Sequence, residues 1–425
     1  MKTLKSYGTV IVMLLIALLT ASWTLTPDPA WGFWGHRRIN RVAVFSLPPE
    51  MIKFYKQHIE YVTEHAVDPD KRRYATKFEG PRHFIDIDHW GTYPFDNVPR
   101  DWTEALAKFS AVFAITQNGD TLPVFDHNTL DWEGRELVYT GTNTQVKAYW
   151  PAKGLEKQAY IEFFGKYVEP QYYEDIWRIE GHVFDEILGF ELNAKELYVE
   201  DHFTEYGISP YNLLQMYGRL TKAFRDRNIK QILRISSEMG HYVGDAHVPL
   251  HTTENYNGQL TDQVGIHAFW ESRIPELFAD KEYDLFVGKA QYVDNPKEYF
   301  WDVVLASHVL VDSVLAIERR LSLTIPQDQQ YCFDERLGRT IRTQCEEFAA
   351  AYQNEMNGMV EERMRATILA VASVWYSAWI DAGQPDLNRL GELQLSEDEL
   401  KAMRALDVKS RGSEIIGRKH EGGGS

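Results

Sequence analysis

From His36 onward the apolar positions recur at helical spacing: Ile39, Val42 and Ala43, then Met51, Phe54, Tyr55 and Ile59. The Pro48-Pro49 pair splits residues 36–62 into two helical pieces, because proline interrupts a helix interior. Residues 102–115 (WTEALAKFSAVFAI) predict another helix. Residues 117–205 lose the rhythm, with Asn118-Gly119-Asp120, several prolines and isolated aromatics. That predicts an irregular or mixed insertion, about 91–205 in all, carrying a few strands. Helical spacing returns over 210–245, with Leu213, Leu214, Met216, Tyr217, Leu220 and Phe224 on one face behind Pro210, and again over 299–321 and 337–382. The last stretch contains MRATILAVASVWYSAWI, suited to a buried terminal helix. Residues 406–425, ending EGGGS, are expected to form a disordered tail. The fold expected is mainly α: a single multi-helical domain over 31–405 with a large mixed insertion.

The N-terminal segment changes the compartment. Lys2 and Lys5 precede an apolar stretch at 9–21, which is short for a membrane span and of the length of a secretory leader. Residues 1–30 are therefore read as a signal peptide, and the mature chain as secreted or periplasmic. No later run reads as apolar enough to span a bilayer. In an oxidising compartment Cys332 and Cys345 can pair or stay apart. Neither has a CxxC partner, so neither reads as a zinc ligand.

Composition adds one exclusion. The 425 residues are 44% hydrophobic and 13% aromatic, ample for a buried core, and the formal net charge is −17. A chain this acidic lacks the broad basic face by which duplex nucleic acid is gripped.

Candidate chemistry concentrates in HYVGDAHVPLH at 241–251. His241 and Asp245 are four apart, so a helix presents both on one face, and Gly244 permits a neighbouring element to approach closely. Pro249 ends that helix and His251 follows on the loop. GIHAFWE then offers His267 and Glu271, again four apart. Imidazole nitrogen and carboxylate oxygen are ordinary zinc ligands, although one such pair also suits a solvated helix face. Upstream lie WGFWGH at 31–36, HAVDPDKRRYA at 65–75 and PRHFIDIDHW at 81–90. Taken singly, His36 reads as a surface residue, Asp70 as a helix cap and His83 as a satisfied loop histidine.

Together these segments resemble the superfamily of zinc-dependent phospholipases C and single-strand-specific zinc nucleases. The order is shared: an N-terminal Trp, a His, an Asp, a His, a helical His-xxx-Asp, a further His and a helical His-xxx-Asp/Glu. W-G-x-x-G-H and H-x-x-G-D-x-H-x-P-L-H resemble the nuclease branch, and Glu271 in place of Asp resembles the phospholipase branch. The resemblance covers 31–90, 205–280 and, loosely, the helix around Trp375 and Trp379. It implies three zinc ions. Asp70, His83, His241 and Asp245 would hold one, and His251, His267 and Glu271 a second. The third would take His36, the amino and carbonyl groups of Trp31, and Asp245 as a bridge. Asp68 competes with Asp70, which is favoured by its place three residues before Arg73. His247 is read as supporting a ligand, and His182 in EGHVFDE as structural. Trp31 can ligate through its amine only if the leader is cut after Ala30; a cut near Ala21 or Ser22 would spoil that ligand.

The expected activity is phospholipase C-like cleavage of phosphodiesters, with Asp70 orienting or deprotonating the attacking water. Arg73 would meet a substrate phosphate or form an exposed salt bridge. The alternatives are a single-strand-specific zinc nuclease and a non-catalytic zinc-stabilised binding protein. The expected partner is the phosphodiester itself, phospholipid or single-stranded nucleic acid, with no duplex and no protein partner.

Overall fold

The structure, a computed structural model, describes residues 32–336, 339–412 and 414–418. The expected leader at 1–30, and Trp31, lie outside the described residues. The chain is 59% helical with small sheets, mainly α with a mixed part.

The first helices are α1 (Phe33–Ala43), α2 (Pro49–Gln57), α3 (Ile59–Glu64) and the short α4 (Asp68–Arg72). As the prolines predict, the chain breaks at Leu47-Pro48, and Pro49 opens α2 at a position where its missing N–H costs nothing. Trp102–Phe109 forms α5, and here the expectation needs correcting: residues 110–115 leave the helix as strand β1 (Ser110–Ile115). β1 joins β2 (Thr121–Phe125), while β3 (Leu130–Asp131), β4 (Glu136–Tyr139) and β5 (Leu155–Glu156) form a second small sheet. Helices α6 (Thr144–Tyr149), α7 (Lys157–Phe163) and α8 (Gly181–Leu188) intervene before β6 (Trp177–Glu180) and after it, and β7 (Glu196–Asp201) completes the larger sheet in the order β2-β1-β7-β6. All its pairings are antiparallel, with Val112 opposite Val199. Val112, Ala114, Leu197 and Val199 alternate inward onto Phe163, Phe164 and Phe184, giving the insertion its own core. Phe113 and Tyr198 stack 4.8 Å apart on the other face.

The expected 210–245 helix is two: α9 (Ser209–Arg225) and α10 (Ile229–His247). Arg227 takes φ +55°, and the Asn228 side chain caps the new helix by accepting from Gln231 N. A single turn, α11 (Ile266–Ala268), runs through a π-helical turn at Phe269–Arg273 into α12 (Ile274–Glu282). Next come α13 (Pro296–His308) and α14 (Val311–Thr324). Within 296–324 an 18-residue window reaches a mean hydropathy of 1.7, enough for a membrane span by length and composition, contrary to the reading that no later run is so apolar. Val309 and Leu310 divide the stretch, and Phe300, Trp301 and Val304 of α13 lie in the main core.

The expected 337–382 helix is also corrected. Its start is a hairpin, β8 (Tyr331–Arg336) with β9 (Arg339–Gln344), closed by a Cys332–Cys345 disulfide, and α15 (Glu346–Glu355) follows. α16 (Met359–Asp381) is the buried helix foreseen, with Trp375 stacked on Tyr55 at 5.0 Å and donating Nε1–H to the Ser236 carbonyl. A last correction concerns the tail: α17 (Glu397–Gly412) carries order past 406, and 414–418 are placed beyond it. α17 buries nothing, yet Ser396 and Glu399 form a reciprocal N-terminal cap. Lys230 meets Glu399 at 2.8 Å and Lys71 meets Asp407 at 2.8 Å, which ties the helix to the body.

Candidate metal centre

α1 and α10 pack closely because two glycines of α10 make room. A Cβ added at Gly240 would stand 1.9 Å from Asn40 Oδ1, and one at Gly244 would stand 3.0 Å from His36 Nδ1. Asn40 Nδ2 uses this proximity to donate to the carbonyls of Val62 and Ser237. His36, four residues earlier, is thereby laid against His241 with ring centroids 3.8 Å apart.

Around this contact the distant segments converge. Asp70 on α4 and His83 at the end of the turn Gly80–His83 arrive from one side, His251 from the turn Pro249–Thr252 after α10. His267 on α11 and Glu271 on the π-helical turn complete the set; a π turn in place of a regular helix is a frequent device at functional sites. Asp245 is the hub. Its oxygens lie 2.9 Å from His83 Nδ1, 3.3 Å from His241 Nε2, 3.4 Å from His36 Nε2 and 3.9 Å from His251 Nε2. Asp70 Oδ1 stands 3.7 Å from His241 Nε2 and 3.8 Å from His83 Nδ1. Glu271 reaches His267 at 2.8 Å, His251 at 3.5 Å and His36 at 3.7 Å.

Three groups among these residues can each hold a metal ion: Asp70, His83 and His241; His251, His267 and Glu271; and His36, His241 and Asp245. All eight candidate ligands within the described residues are therefore brought together. The grouping departs from expectation in two respects: His241 serves the His36 group as well as the Asp70 group, and Asp245 is grouped with His36 and His241 and not with Asp70. Asp68 is turned away to His65 and Lys71. His247 donates Nδ1–H to the Val243 carbonyl and joins no group, and the exposed His182 pairs with Glu180. Arg73 is buried, not exposed, 3.7 Å from Asp70 Oδ1.

The donor chemistry fits a divalent cation. Tetrahedral N and O ligands 2.0–2.2 Å from zinc are about 3.4 Å apart, and the separations here fall around that value. His251 donates Nδ1–H to the His83 carbonyl at 2.7 Å, and His267 donates Nδ1–H to the Tyr256 carbonyl at 3.0 Å. A carbonyl can only accept, so in the neutral His251 ring Nε2 carries a lone pair facing the Glu271 carboxylate. Facing lone pairs repel unless a cation lies between them, and the outward N–H bonds are those that orient metal-binding histidines.

Electrostatics point the same way. Burial pushes His36 and His251 down to about 4 and His241 to about 3, so these rings are neutral at ordinary pH. Burial raises Asp245, and the neighbouring Glu271 and Asp70 carboxylates raise it further. Asp70 is likewise raised by burial, against the pull of Arg73. Glu271 is pushed up by burial but held well below the usual carboxylate range by contact with His251 and His267. Three carboxylates crowded among neutral rings leave a local deficit of positive charge.

One further group supports the centre. Glu79 is buried with Oε1 3.8 Å from His83 Nε2, and is held by Arg72, Arg82 and the Tyr242 hydroxyl. Its i, i+4 spacing to His83 is the sequence signal that could have found it. Arg418, ion-paired with Asp86 at 2.6 Å, sits at the rim. No protein-family model and no curated protein matches the chain.

Proposed function

We propose that the chain is an exported zinc hydrolase that cleaves phosphodiesters, phospholipase C-like in its substrate. The observation that carries this reading is the convergence of five histidines and three carboxylates, from five separate stretches of sequence, into adjoining groups of metal-binding geometry. A lone structural zinc needs about four ligands and no opening. Here Asp70 and Glu271 keep 22% and 15% of their side-chain surface exposed while the histidines are closed off, which supports access from one side.

Zinc bound there would supply acidified water and neutralise charge on phosphoryl and leaving-group oxygens. The chain's own residues divide the remaining work. The Nδ1–H bonds of His251 and His267 fix their rings for binding, and Asp245 joins the groups. Asp70, 22% exposed at its side chain, would orient the attacking water and take its proton. Attack on phosphorus breaks the bond to the leaving oxygen, which leaves as an alcohol after protonation, and a phosphomonoester remains. Export accords with the Cys332–Cys345 disulfide, which an oxidising compartment preserves.

The net charge of −17 favours a compact diester headgroup over a polynucleotide. The nuclease alternative rests on the W-G-x-x-G-H and PLH motifs. Zinc-loaded protein should hydrolyse a chromogenic phosphodiester and lose the activity to a chelator. Phosphatidylcholine should turn over faster than single-stranded DNA; the reverse order would select the nuclease. Full zinc occupancy with no hydrolysis of any diester would leave only a zinc-stabilised binding protein.

A further inference from the structure

The segment 414–418 returns from α17 to the rim of the metal centre. Ile416 donates its N–H to the Arg73 carbonyl at 2.9 Å, and the Arg73 guanidinium donates back to the Arg418 carbonyl. The Arg418 side chain enters a pocket beside the cluster. Nη1 meets Asp86 Oδ1 at 2.6 Å, and Nη2 donates to the Thr253 carbonyl at 3.1 Å. Its guanidinium carbon lies 4.0 Å from the Phe84 ring centroid and 3.5 Å from that of Tyr256. Every one of these contacts adjoins a candidate ligand. Phe84 follows His83, Thr253 lies two residues after His251, and the Tyr256 carbonyl is the one that orients His267.

The anchorage is local. Glu414, Ile416 and Gly417 are exposed, Ile415 is half-buried, and the Arg418 side chain is 12% exposed. A guanidinium between two rings and a carboxylate is a favourable but small attachment, opposed by the desolvation of a charged group. The segment also engages Arg73, whose guanidinium lies 3.7 Å from Asp70 Oδ1 and would meet a phosphate arriving there. We infer that residues 414–418 form a displaceable strap that occupies the rim pocket and Arg73, so that a diester must expel it to reach the cluster. The inference rests on the hydrolase reading for its activity readout, but not for its binding readout.

The test uses the full chain, zinc-loaded, as wild type, Arg418→Ala and Arg418→Lys. For bis(4-nitrophenyl) phosphate, R418A should show KM lowered about threefold or more with kcat and zinc content unchanged, and R418K should stay within about twofold of wild type. By amide hydrogen exchange, the Ile416 N–H should be protected in wild type and lose that protection in R418A. Equal KM in wild type and R418A, or free-chain exchange at Ile416 in wild type, overturns the strap. If all three proteins hold zinc and none hydrolyses the diester, the hydrolase reading fails. The exchange pattern then decides alone: protection lost in R418A upholds the strap, and protection unchanged overturns it.

Discussion

Glu79 illustrates how a residue behind the metal centre governs those in it. A metal held at His83 Nδ1 leaves the Nε2–H pointing at the protein interior, where Nε2 has no hydrogen-bond partner and Glu79 Oε1 is the carboxylate 3.8 Å away. Removing such an orienting partner commonly lowers metal affinity by about 10–100-fold. Glu79→Gln should show that loss in a chelator competition while melting within a few degrees of wild type; unchanged affinity would remove Glu79 from this role. The imidazoles give a second prediction. In metal-free protein His36 and His251 titrate at about 4, against 6.5 in the unfolded chain. Between those values the unfolded state binds the extra protons, so stability falls as pH drops from 6.5 toward 4, by up to about 1.4 kcal/mol per pH unit for each ring. Urea midpoints of chelated protein should therefore be lower at pH 5 than at pH 7. Equal midpoints would mean that the rings are not buried as placed.

At the scale of elements, the approach of α1 to α10 sets the geometry of the whole cluster. Gly240→Ala would force a methyl group onto Asn40 and break its bonds to Val62 and Ser237. It should cost about 1–3 kcal/mol, seen as a lowered melting temperature with zinc bound; a neutral substitution would contradict the close packing. This contact was legible in part: the role of Gly244 and the His-xxx-Asp face follow from the 3.6-residue period. Other elements were hidden for physical reasons. SAVFAI extends the apolar pattern of α5, and only its pairing with β7 makes it a strand. The hairpin at 331–344 depends on cross-strand pairing that no local period reveals. α17 was readable from its Ser396-to-Glu399 cap, but its lack of any buried face masked it. The rim contacts of Arg418 join residues more than 150 positions apart, and nothing local marks them.

Across the whole molecule, the helical body and the sheet-bearing insertion have separate hydrophobic cores. The ligand-bearing helices α1 and α10 belong to the first, so the insertion can vary in shape without disturbing the cluster. The net charge of −17 surrounds a centre that itself gathers three carboxylates, and a set of divalent cations there would relieve local repulsion. Every functional role assigned above requires these eight side chains to bind metal jointly. The most direct measurement is the zinc content of purified, dialysed protein by mass spectrometry, with His241→Ala beside wild type. The wild-type chain should hold about three zinc ions, and H241A at least one fewer. A wild-type chain that retains no zinc, or an H241A chain that retains the full complement, would contradict joint binding.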